Sequence, residues 1–159
     1  MNDLLRIVVN GLTYAGNLLH SLINYSLIAM TIVPFLMPTA QSRARATRTW
    51  IGCLLIALAV QVILWFGLGA VGVSVIWSTM AGYSLAERAS HSTQRDPTRR
   101  QLLTVALVSA TFGILYYAVT LPLITTLAHG MAVMMGIGLF YVLNSLTRQP
   151  PEEHDVTSH

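Results

Sequence analysis

Long apolar runs separated by short polar ones dominate this chain. The first apolar run extends from about Leu18 to Pro38 and stops before "AQSRARATR". At a rise of about 1.5 Å per residue, such a run matches the roughly 20 residues a helix needs to cross a bilayer. The second run, Trp50 to Ala86, is too long for one crossing of a hydrocarbon core about 30 Å thick. It holds "FGLGAVG" (66–72) near its middle, and glycine tolerates turn conformations. It is therefore read as a helical hairpin with arms near 50–66 and 71–87. The third run, 101–147, breaks at "LPLITTLAHG", where Pro122 has no N–H to continue the helical ladder. That break gives spans near 101–121 and 126–147.

The pattern predicts an all-α, polytopic integral membrane bundle. It has about five transmembrane helices joined by short loops, with four to six possible, over residues 18–147. Two flanking segments complete the chain. Residues 1–17 read as an interfacial amphipathic segment, as an extension of the first span, or as a separate short span. A cleaved signal peptide fits less well, because Asp3 sits where a basic region belongs and "MPTAQ" is a poor cleavage site. Residues 148–159 lack apolar periodicity and read as a disordered polar tail.

Composition agrees with this assignment. Apolar residues make up 54% of the chain and charged ones only 9%, with a mean hydropathy of +0.62. Soluble domains carry about 25% charged residues. Every basic residue is an arginine, and all but Arg6 fall in three patches: Arg43, Arg45 and Arg48; Arg88, Arg95, Arg99 and Arg100; and Arg148. With five crossings the three patches share one side, and the two turns without arginine share the other. The positive-inside rule makes the arginine side and the C-terminus cytoplasmic. The basic balance thus reflects topology, and nucleic acid is not an expected partner. The all-arginine basic set suits a bacterial chain, so the expected location is the bacterial inner membrane.

Polar residues inside the spans carry whatever function the sequence holds. Asn10, Asn17, Asn24 and Thr31 recur every seven residues, with His20 and Ser21 on the same side. Seven residues are nearly two turns, so these side chains form one stripe. Polar groups avoid lipid, and the stripe therefore faces other helices or a hydrophilic path. Gln61, in the second span, needs a partner within the same bundle. Small residues mark packing faces: Ser74, Ser78 and Gly82; Ala106 with Ala110; Ser109 with Gly113; Ala132 with Gly136; and Gly130 with Gly138. Such stripes let helix backbones approach closely. Trp50, Trp65, Trp77, Tyr14, Tyr83 and Tyr141 lie mostly near span ends, as an interfacial aromatic belt would place them.

Chemistry is sparse. No G-x-S-x-G, H-E-x-x-H or phosphate-loop sequence occurs. The acid beside a span, Glu87, is followed by Arg88, and this pair reads as a solvated helix end. Cys53 is the single cysteine and reads as a small buried hydrophobe. His20 and His129 open the first and fifth spans and could ligate haem b or copper if they face one another. Met131, Met134 and Met135 are copper-compatible, although methionine also fills gaps in packed cores.

The expected function is a small non-enzymatic membrane protein acting through helix–helix contacts. It would be a subunit or assembly factor of a larger complex of secretion, conjugation, respiratory or immunity/exclusion type. Its expected partners are the lipid bilayer and either other membrane subunits or further copies of the chain. One alternative is an oligomeric transporter or channel using Asn17, His20 and Asn24. Another is a haem- or metal-binding protein using His20 and His129.

Overall fold

Glycine and proline punctuate the chain into antiparallel helices, and a computed structural model shows how they assemble. It describes residues 5, 18–37, 43–68, 72–90 and 96–147. These contain five helices: α1 (Leu18–Leu36), α2 (Arg43–Leu68), α3 (Ser74–Ala89), α4 (Pro97–Thr120) and α5 (Leu123–Thr147). Asn10, Asn17, Tyr14 and the tail from Arg148 onward lie outside the described residues. So do the alternatives for the first 17 positions, apart from Leu5.

Four helices (α1, α2, α4 and α5) are long and apolar enough to cross a membrane. The protein is a multi-span helical membrane protein, and these four helices face lipid. Their outward surfaces carry Leu18, Phe66, Phe112, Val119, Leu123 and Leu146, all strongly exposed. Water would penalise such a surface, and hydrocarbon does not.

The third helix differs from the others. It has 16 residues, and only Leu85 and Ala89 are exposed. The other helices enclose it, which explains a helix that carries Ser74, Ser78, Thr79 and Ser84 through the middle of an apolar protein. Ser78 and Thr79 hydroxyls donate to the carbonyls of Ser74 (3.0 Å) and Val75 (2.9 Å), one turn back on the same helix. Those bonds satisfy the hydroxyls without a partner helix.

Inward faces repeat with heptad spacing. On α4 the buried positions are Arg99, Leu103, Ala106, Ala110, Gly113 and Tyr117; on α1 they include Asn24, Leu27, Thr31 and Pro34. Alternating steps of three and four residues keep one stripe toward the interior. The closest approach joins α3 to α5. A Cβ on Gly82 would overlap the Val133 carbonyl, and one on Gly136 would overlap the Thr79 carbonyl and lie 2.9 Å from the Tyr83 nitrogen. Backbone meets backbone there, reciprocally, with Ala132 buried beside the contact. Gly113 gives similar room on α4, where a Cβ would lie 2.6 Å from Leu27 Cδ1 and 3.1 Å from Trp77 Cη2. Gly130 and Gly138 do otherwise. Both are exposed, with nothing within 4 Å of an added Cβ. Each lies two residues, about 200° of rotation, from Ala132 or Gly136, and so on the roughly opposite face of α5.

Two boundaries differ most from the sequence reading. Helix α2 starts at Arg43 rather than near Trp50, because nothing in "RARATRT" breaks a helix and arginine propagates one well. Helix α4 starts at Pro97, with Asp96 as its cap accepting from the Arg99 N–H at 2.9 Å. Proline at the first helical position costs no ladder bond.

The end where α3 meets α4 also corrects the reading of Glu87. Its carboxylate is buried and binds Arg99, not Arg88, through two parallel bonds: Nε to Oε1 and Nη2 to Oε2, each 2.8 Å. Arg88 turns outward and donates to Thr104 Oγ1 at 3.3 Å. The helix turn carries Glu87 to the α4 side and Arg88 a further 100° round toward the exterior. Phe35 of α1 completes the enclosure, its ring centroid 5.9 Å from the Arg99 guanidinium carbon.

Three substitutions test these contacts. Gly136→Val should destabilise the bundle by about 3 kcal/mol or more, whereas Gly138→Ala should be neutral or mildly stabilising; thermal unfolding in detergent compares them. Glu87→Gln leaves Arg99 buried against a neutral partner and should cost about 3–5 kcal/mol, read by the same assay.

Candidate functional site

At the opposite end of α4 from the ion pair, four helices deliver polar or aromatic side chains to one place. Helix α1 supplies His20 and Asn24, α3 supplies Trp77, α4 supplies Tyr117 and α5 supplies His129. Asn24, Trp77, Tyr117 and His129 are each at most 1% exposed, and His20 is half-buried at the rim.

Asn24 is the hub. Its Oδ1 accepts from the Trp77 indole N–H at 3.0 Å and from the Tyr117 hydroxyl at 2.7 Å. An indole nitrogen can only donate, so the atom facing it is the amide oxygen. Tyr117 has one hydroxyl proton, which goes to Asn24. The His20 Nε2 lying 3.2 Å from the same hydroxyl therefore carries a hydrogen and donates. The bonds form a directed line, from His20 to Tyr117 to Asn24, with Trp77 donating into its end.

His129 joins the group through its ring. It stacks on Tyr117, with centroids 4.7 Å apart and planes at 23°, and lies 5.4 Å from the Trp77 ring. Its Nδ1 is 2.6 Å from the Thr125 carbonyl oxygen, one turn earlier. A carbonyl only accepts, so Nδ1 bears the hydrogen, and in the neutral ring Nε2 presents a lone pair. His20 meets the Tyr117 ring edge-on, with centroids 5.0 Å apart. Both histidines thus pack on the same tyrosine.

The remaining candidate residues occupy separate places. Thr31 is buried on α1 and donates to the Leu27 carbonyl at 2.8 Å, with Met80 Sδ 3.7 Å away. Gln61 is fully buried on α2, the helix that supplies none of the five clustered side chains. Cys53 is buried and free. Met131 and Met135 pack against the core, whereas Met134 is 66% exposed. Among the described residues, no group of three or more His, Cys, Asp or Glu is placed to hold a metal ion.

Trp77 and Tyr83 correct the interfacial-belt reading. Both are buried: Trp77 donates to Asn24, and the Tyr83 hydroxyl accepts from Thr49 Oγ1 at 3.2 Å. Being near a span end in sequence did not separate them from aromatics that face outward, such as Tyr141, because α3 is enclosed over nearly all of its surface. Tyr117 was missed altogether. Its signal was present, since it continues the Ala106, Ala110, Gly113 stripe by one more step.

Comparison with known proteins finds no matching family model, curated protein or solved structure. Replacing Asn24 with leucine strands the Trp77 N–H and the Tyr117 hydroxyl in an apolar interior. Asn24→Leu should destabilise by about 2 kcal/mol or more, with a shifted Trp77 fluorescence maximum as the local readout.

Proposed function

We propose that this multi-span membrane protein is a non-enzymatic subunit or assembly factor of a larger complex in the bacterial inner membrane. The observation that supports this reading best is on α5. Gly130 and Gly138 face outward with Met134 between them, leaving helix backbone open to approach on the lipid-facing surface. Gly82, Gly113 and Gly136, by contrast, are spent on packing inside the bundle. Exposed glycines two turns apart suit a helix from another subunit, because close backbone contact supplies the dispersion energy and weak hydrogen bonds that drive association in lipid.

The arginines support a cytoplasmic position for their end of the bundle. Arg48, Arg88, Arg99 and Arg100 belong to the ends of α2, α3 and α4 that meet there, and positive charge is retained on the cytoplasmic side. A hydrophilic path along the α1 stripe has less support, since the Asn24 carbonyl is closed off by Trp77 and Tyr117.

Purification from native membranes in mild detergent, with a photo-crosslinking residue in place of Met134, tests the reading. A discrete adduct with another membrane protein is expected, and Gly138→Leu should abolish it while leaving thermal stability intact. Recovery of an uncrosslinked, monodisperse monomer would count against the proposal.

A further inference from the structure

The cluster around Asn24 leaves two polar atoms without a partner inside the protein: Asn24 Nδ2, which carries two hydrogens, and His129 Nε2, which carries a lone pair. Both residues are 1% exposed. Neither can turn to find a partner without losing bonds it already has. Rotating the Asn24 amide would point its N–H groups at the Trp77 donor, and flipping the His129 ring would break the Nδ1 bond to Thr125. An unpaired buried donor or acceptor is costly, and a single helix bundle has little reason to hold two at one place.

The two atoms are complementary, and both residues meet the same pair of side chains: Asn24 accepts from Trp77 and Tyr117, and His129 packs on their rings. We infer that this end of the bundle is a binding site for water, as one molecule or a hydrogen-bonded pair, which donates to His129 Nε2 and accepts from Asn24 Nδ2. A neutral guest that both donates and accepts is required by the atoms presented. A cation would be repelled by the amide hydrogens, and an anion would be repelled by the imidazole lone pair. Buried waters are normally held by two to four polar partners of this kind. Half-buried His20, bonded to Tyr117, is the most exposed member of the group. The site has no part in the outward face of α5 and stands independently of the subunit reading.

Water-edited solid-state NMR on the full chain in lipid bilayers, with histidine and asparagine side chains labelled with ¹⁵N, tests this directly. Magnetisation from water is expected to reach His129 Nε2 and Asn24 Nδ2, and the Nε2 shift should be that of a nitrogen accepting a hydrogen bond. An Nε2 shift typical of an unbonded imine nitrogen, with no transfer from water, overturns the inference. His129→Phe keeps a ring on Tyr117 and removes the acceptor. It should reduce the transfer to Asn24 Nδ2 several-fold, and undiminished transfer overturns the shared site. If that variant does not fold, the two wild-type signals decide the matter alone.

Discussion

The backbone contact between α3 and α5 at Gly82 and Gly136 sets the arrangement of the other helices. With no side chain on either glycine, the two helices approach until carbonyl oxygens meet the opposing Cα positions. At that distance α5 covers one side of α3 along most of its length. Helices α1, α2 and α4 then close the rest of its circumference, and α3 becomes an interior element. This is why a helix containing four Ser or Thr residues is compatible with an otherwise apolar protein. All four are buried away from lipid, and the Ser78 and Thr79 hydroxyls are satisfied by the helix's own carbonyls.

Two polar devices then fix the ends of the bundle. Near the turn between α4 and α5, the Asn24 carbonyl gathers donors from α3 and α4, while His129 of α5 stacks on the same tyrosine. At the other end, Glu87 of α3 and Arg99 of α4 form a two-bond ion pair beneath Phe35 of α1. Apolar packing in lipid is weakly selective, because a leucine is equally at home against lipid or protein. Directional bonds between buried polar groups are selective: a shift of one residue along α4 would move both Tyr117 and Arg99 out of reach of their partners. The register of α1, α3 and α4 rests on these two sets of bonds.

Much of this was visible in the chain. Glycine and proline at 66–72 and at 122 located two of the breaks, and the seven-residue recurrence ending at Asn24 and Thr31 pointed to the face of α1 that is buried. Gly82 and Gly136 stood out as positions of close approach. Gly130 and Gly138, two turns apart, were read as a packing face too yet face outward, because a small-residue stripe identifies a helix face without saying what lies against it. Glu87 was misread for a related reason. Sequence adjacency favoured Arg88, while the helix turn separates neighbours by 100° and delivers Glu87 to Arg99, 12 residues away. Trp77 and Tyr83 resembled lipid-boundary aromatics since they sit near the ends of a predicted span.

Hydropathy and punctuation by themselves determined that this is a membrane bundle of about five helices, since both depend on local composition and on the length of a bilayer crossing. Tertiary structure alone decided which helix is central, which glycines are spent on packing, and which polar groups find one another. Those outcomes depend on the rotation of each helix about its axis and on its neighbours. Single-span periodicity constrains the first only loosely and carries no information about the second.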